Sequence, residues 1–189
     1  HMNATPWLAT SWKQSDDKMS WTFTINDKVK FSNGNPLTAE AVKASLERTF
    51  AKSKRAESFF NYTEITANGQ ELIIKTDKPY YNLPNLLGDP LFLIMDVTAE
   101  ANGRDIAKEG PIGTGPYVVT SFTKERAELA RNENYWDGKA GFAKVEIPSI
   151  NDANTRAMAL QAGDVDMAIS IGPGEYGIFQ NDKNFTIYE

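Results

Sequence analysis

Asp164 and Asp166 stand two residues apart and, on a strand, would share one face. There one carboxylate could serve as acid and the other as base. The same pair also suits a solvated strand start, or a tie between the preceding helix end and its neighbours. A second candidate is the glycine-rich stretch Glu109-Gly110-Pro111-Ile112-Gly113-Thr114-Gly115-Pro116. Gly110 and Gly115 have the outer spacing of a phosphate-binding Walker A loop, but the lysine that should follow is Pro116. Proline has no backbone N–H to offer a phosphate. Residues 118–122 (Val-Val-Thr-Ser-Phe) read as a strand, whereas phosphate favours the start of a helix. The dinucleotide pattern Gly-x-Gly-x-x-Gly fails at Val118. The stretch is therefore a turn that launches a strand, with glycines for unusual backbone angles and prolines to stop helices.

Other chemistries are excluded by residue type. There is no cysteine, hence no disulfide, thiolate metal site or cysteine nucleophile. The single histidine is His1, and His1-Met2 reads as a cloning scar. A Ser-His-Asp triad or an imidazole metal site cannot be built from what remains. A net charge of -5 argues against nucleic acid and against an anionic membrane surface, because both demand a basic patch. The longest apolar run, residues 91–95, is far short of the roughly 20 residues that span a bilayer. No leader is visible, and with the scar this reads as a trimmed chain whose Asn3 need not be near the natural start. Trp7, Trp12, Trp21 and Trp136, with the tyrosines, could stack against sugars, but aromatics near strands are more often core. Asn-x-Ser/Thr patterns at Asn3, Asn61 and Asn184 are read as coincidence.

The elements that would position these groups follow from periodicity. Alternation at Trp21-Thr22-Phe23-Thr24-Ile25 predicts a half-buried strand, extended by Val29-Lys30-Phe31 and closed by the turn 32–36. Thr38 as N-cap and the stripe Val42, Leu46, Phe50 predict a helix over 39–52. Strands over 63–67 and 71–76 are joined at Asn68-Gly69, a hairpin signal. A short helix is expected over 82–87, a buried strand over 91–95, and a loop or weak helix over 98–108. Strands 118–122 and 127–131 pair as a hairpin, and another strand spans 144–150. Asp152 caps a helix through Gln161 that Gly163 ends. A last strand is expected over 165–169, and Ile171-Gly172-Pro173-Gly174 breaks the pattern.

Four blocks of this sequence, in order, resemble a known family. They are Pro6-Trp7-Leu8-Ala9-Thr10-Ser11-Trp12 through Leu37-Thr38-Ala39-Glu40; Pro111-Ile112-Gly113-Thr114-Gly115-Pro116-Tyr117; Arg131-Asn132-Glu133-Asn134-Tyr135-Trp136; and Asp152-Ala153-Asn154-Thr155-Arg156 through Gly163-Asp164-Val165-Asp166. The family is the extracytoplasmic solute-binding proteins of the peptide/nickel class, family 5. They are receptors of ABC importers, more than twice this long and two-lobed. The resemblance implies a mixed α/β (α+β) fold, part of lobe one of a type II periplasmic-binding-protein-like architecture, with a mixed sheet and flanking helices. It implies a smaller subdomain over 3–108 and an incomplete sheet-bearing subdomain over 109–189 that ends near the hinge. Apolar positions at 165–169 and 185–188 would then be exposed. It assigns the Gly-Asp-x-Asp element to the scaffold.

The resemblance also proposes ligand contacts. In nickel-binding relatives an arginine and a tryptophan after the first helix face the cleft, and a second arginine precedes a proline. Here those positions carry Arg55, Ser58 with Phe59 adjacent, and Asp89 before Pro90, with Phe92 following. The anionic-chelate site is thus not reproduced, and Asp89 would instead meet a cation such as a peptide amino terminus. The plain alternative leaves Arg55 a solvated charge at a helix end.

What the resemblance implies is a receptor that traps a small peptide or metal chelate between this lobe and a second one, then delivers it to a membrane ABC permease. It would need no cofactor, no resident metal and no nucleic acid, and it would catalyse nothing. It would work outside the cytoplasm, in a periplasm or as a cell-surface lipoprotein. A receptor for nickel or another metal chelate is the near alternative. A carbohydrate-binding module with a row of exposed aromatics, or a hydrolase using Asp164 and Asp166, are the distant ones.

Overall fold

Trp21, Phe23 and Ile25 are all buried while Thr24 between them is exposed, so the alternation seen in the sequence is that of a strand with one face in the core. The computed structural model describes residues 3–188; the His1-Met2 reading falls outside them. This strand, β2 (Ser20–Ile25), sits between β1 (Ala9–Gln14) and β4 (Glu71–Thr76), and β3 (Tyr62–Asn68) closes the order β1-β2-β4-β3. Every pairing is antiparallel. The β3–β4 loop is two residues, Gly69 and Gln70, since Asn68 still pairs with Glu71. Of these two only Gly69 has positive φ, 60°. That fits a II′ turn with glycine first, not a I′ turn needing positive φ twice.

Helix α1 (Ala39–Lys52) has the expected bounds. The Thr38 hydroxyl accepts the Ala41 N–H at 3.1 Å, capping its start. Val42 and Leu46 are buried against the sheet, where α1 lies over β3 and β4. Short helices follow: α2 (Leu83–Leu86), α3 (Val97–Ala101) and α4 (Ile106–Glu109). Arg48 of α1 pairs with Glu100 of α3. Strands β5 (Tyr117–Phe122), β6 (Arg126–Arg131) and β7 (Lys144–Pro148) form a second sheet in that order. Helices α5 (Ala153–Ala162) and α6 (Pro173–Gln180) complete the list.

The chain divides into two units. The first is His1–Phe122 with Glu128–Val145. Its core holds Trp21, Phe23, Phe31, Leu46, Phe60 and Ile74 among others. The second is Thr123–Ala127 with Glu146–Glu189. There Asp152 caps α5 by accepting the Thr155 N–H at 2.8 Å, and Gly163, at φ 80°, ends the helix in the left-handed region. Ala157 and Phe179 are buried, and Phe179 meets Phe185 edge-on at 4.9 Å. Arg156 holds this unit's loops by donating to the carbonyls of Ile150 (2.7 Å) and Ser170 (2.7 Å).

Four expectations are corrected. Residues 91–95 form no strand: Pro90–Phe92 is a 3₁₀ turn and Leu93 is 74% exposed. Residues 165–169 form no strand either, and Met167 and Ile169 are exposed. Apolar content signals burial, but a strand also needs a neighbouring strand for its N–H and C=O groups, and none of the described strands pairs with these runs. Asp164 and Asp166 therefore share no strand face, and both are exposed. Finally, Gly172-Pro173 does not simply break the pattern but starts α6, with proline at a first-turn position where its missing N–H costs nothing. Val29 to Phe31 yields one isolated bridge, Lys30 with Pro36, because the chain doubles back at once through Gly34 (φ 90°).

Candidate functional site

The glycine-rich stretch presents carbonyls inward, the reverse of a phosphate cradle. Ile112 O accepts the Asp96 N–H at 2.8 Å and Gly113 O the Ser32 N–H at 2.9 Å. Gly115 O accepts from the Asn132 carboxamide at 2.8 Å, and Pro116 O from the Asn132 N–H at 2.9 Å. Gly110, at φ 71°, lies so close to Val119 that any Cβ there would stand 2.9 Å from its side chain. The stretch is scaffold that joins three of the sequence blocks.

Asp96 anchors the same scaffold and was invisible as a partner in the sequence. It is buried, and accepts from Asn33 (2.8 Å), Asn35 (2.7 Å), the Thr98 N–H (2.9 Å) and the Thr98 hydroxyl (2.6 Å). Burial alone would raise its pKa, yet the hydrogen bonds from Thr98, Asn33 and Asn35 outweigh it and hold the carboxyl below the usual carboxylate range. An aspartate two residues before a threonine is a helix N-cap signal, and Asp96 does cap α3; the link to the 32–36 turn is non-local and has no local signature.

All five residues proposed as ligand contacts lie in the first unit, where ring contacts join Arg55, Phe59 and Phe92. Arg55 and Ser58 occupy the 3₁₀ turn Lys54–Ser58 that follows α1. Arg55 is exposed, and its guanidinium carbon lies 5.6 Å from the centre of the Phe59 ring. The Ser58 hydroxyl is spent locally, donating to the Arg55 carbonyl at 2.7 Å. Phe59 meets Phe92 edge-on at 5.5 Å. Phe92 is buried against Phe60 (5.4 Å) and Phe50 (6.0 Å), so it backs Phe59 instead of facing solvent. The partly exposed Asp89 caps the Pro90–Phe92 turn by accepting the Leu91 N–H at 2.9 Å, which fixes its carboxylate three residues from Phe92. The result is a cation against an aromatic face on a buried aromatic footing, with the Asp89 carboxylate at the start of the turn that carries Phe92.

This set carries opposite charges and an apolar surface. Its one hydroxyl, on Ser58, donates to a backbone carbonyl and is not paired with a base. Among the described residues no three His, Cys, Asp or Glu groups stand close enough to hold a metal ion. No described helix is long and apolar enough to cross a membrane.

Comparison with known proteins bears on the whole chain. The family model described as bacterial extracellular solute-binding proteins, family 5 Middle, matches residues 3–189. The nickel-binding protein NikA of Staphylococcus aureus is 30% identical over 181 residues, which is 95% of this chain and 36% of that protein. The probable D,D-dipeptide-binding periplasmic protein DdpA of Escherichia coli is 30% identical over 190 residues, 96% of this chain and 37% of its own length. The crystal structure of Staphylococcus aureus NikA in complex with Ni(L-His)2 superposes with a TM-score of 0.87 at 31% identity, over 94% of this chain and 37% of that one. The chain spans a little over a third of the length of these relatives.

Proposed function

This chain belongs to the bacterial extracellular solute-binding proteins, family 5, and from that membership we propose that it supplies one wall of the solute receptor of an ABC importer. The family match along residues 3–189 is the observation that carries the reading. In such a receptor the solute sits between this wall and a second lobe, and closure is a hinge motion. It proceeds because the ligand binds the closed state better than the open one. The receptor then hands the solute to a membrane permease. It works outside the cytoplasm, in a periplasm or as a surface lipoprotein, and makes or breaks no bond. Residues 3–108 form the smaller subdomain of this lobe and 109–189 part of the sheet-bearing one.

The ligand we favour is a small peptide. Arg55 meets its carboxylate or backbone carbonyls, Phe59 packs on its side chains, and Asp89 takes its amino terminus. A nickel chelate is the second reading, favoured by the nickel-binding relative. The described residues include neither histidine nor cysteine, so this wall would offer nickel no imidazole or thiolate of its own.

Calorimetric titration separates the two readings, using a receptor of the relatives' length that carries this wall. Asp89→Asn keeps the cap on the Pro90–Phe92 turn, because asparagine caps as well as aspartate. It should weaken a D,D-dipeptide about tenfold, the loss of one charge-assisted hydrogen bond, and leave Ni(L-His)2 unchanged. Failure of the unaltered receptor to bind either solute would end the proposal.

A further inference from the structure

We propose that a depression beside β1 and α2 binds a neutral saccharide. None of Arg55, Ser58, Phe59, Asp89 or Phe92 lines it. Its volume is about 340 Å³, at the low end of small-molecule sites and suited to one or two sugar rings.

The floor follows from strand register. Trp12 pairs with Phe23 and Gln14 with Trp21, so Trp12 and Trp21 occupy one face of the β1–β2 pair on a diagonal. Trp21 is buried and its indole N–H already donates to the Tyr80 carbonyl at 2.7 Å, leaving only its apolar ring to offer. Trp12 is half-buried, and Tyr81 stands 72% exposed at the rim. An aromatic this exposed is a ready platform for the C–H face of a sugar.

The polar groups are carboxamides. Asn82 occupies the N-cap position of α2, where asparagine normally turns its side chain onto the helix, yet it makes no capping bond. Asn3 and Asn85 share the lining, and Asn85 Oδ1 accepts the Ala4 N–H at 3.0 Å. The Asn82 carboxamide combines donors with an acceptor, the complement of a hydroxyl, which is both. No lining residue is charged, in a chain where 24% of residues are. A phosphate, carboxylate or ammonium group would find no counter-charge there, whereas a saccharide needs none.

The test is an NMR titration of the 189-residue chain with cellobiose, maltose and N,N′-diacetylchitobiose at millimolar concentration. At least one should shift the Trp12 indole and Asn82 side-chain signals. Tyr81→Ala and Asn82→Ala should each weaken that sugar about tenfold or more. The Trp21 indole signal, held by Tyr80, should stay in place in both variants and so report an intact fold. If none of the three sugars shifts these signals, or if the shifts survive both substitutions, the proposal is overturned.

Discussion

Replacing Phe60 with alanine is expected to lower the unfolding free energy of the first unit by about 3–5 kcal/mol, the usual cost of emptying a fully buried phenylalanine site. Phe60 has no exposed surface and is the hub of the aromatic cluster. Its ring lies 5.1 Å from Phe50, 5.4 Å from Phe92 and 6.2 Å from Tyr80. Each is a tilted or edge-on contact that contributes beyond its buried area. The effect extends to the candidate site, because Phe92 supports Phe59 and Phe59 carries Arg55. All four tryptophans belong to the first unit, so their fluorescence in a urea titration follows that unit. Phe60→Leu keeps most of the volume but loses the ring contacts, and should cost less than Phe60→Ala. Equal midpoints for wild type and Phe60→Ala would show that the cluster does not hold this unit together.

Asp96→Ala should cost about 3 kcal/mol, because it leaves the Asn33 and Asn35 carboxamides facing each other without an acceptor and uncaps α3. Asp96→Asn should be nearly as damaging. One oxygen takes both asparagines and the other takes both Thr98 groups, so an NH₂ opposes two carboxamide donors in the first place and the Thr98 backbone N–H in the second. The effect depends on pH in a defined direction. The folded carboxyl titrates below its ordinary value of 3.8, so its stabilisation is complete above about pH 4 and is lost as pH falls through the folded value. The urea midpoints of wild type and Asp96→Ala should therefore be far apart at neutral pH and converge in acid. A gap that stays constant down to pH near 2 would contradict the assignment.

What could be read from the sequence was local. The Val42–Leu46 spacing and the Thr38 cap gave α1 to the residue, and Asp152 with Gly163 bracketed α5 closely. The glycine-rich turn is legible because Pro116 cannot donate to a phosphate, and the carbonyls of this stretch serve as acceptors. The misreadings at 91–95 and 165–169 share one cause. An apolar run says nothing about whether a strand lies beside it, and pairing is decided elsewhere in the chain. β1 has no clear strand signal of its own, since Ser11, Lys13 and Gln14 weaken its alternation. For the candidate site, the order of Arg55, Phe59, Asp89 and Phe92 came from family resemblance. Their linkage is tertiary, through rings more than thirty residues apart, and no spacing encodes it. The Asp96 network spans 63 residues to Asn33 and was unreadable for the same reason.

Arg55, Phe59 and Asp89 are proposed as the wall against which a solute rests. A crystal structure of a receptor of the relatives' length carrying this wall, purified with its own solute, tests it directly. The account predicts solute atoms against the Phe59 ring, with charged or polar solute groups at Arg55 and Asp89. A solute held elsewhere, with these three side chains open to solvent, would contradict it.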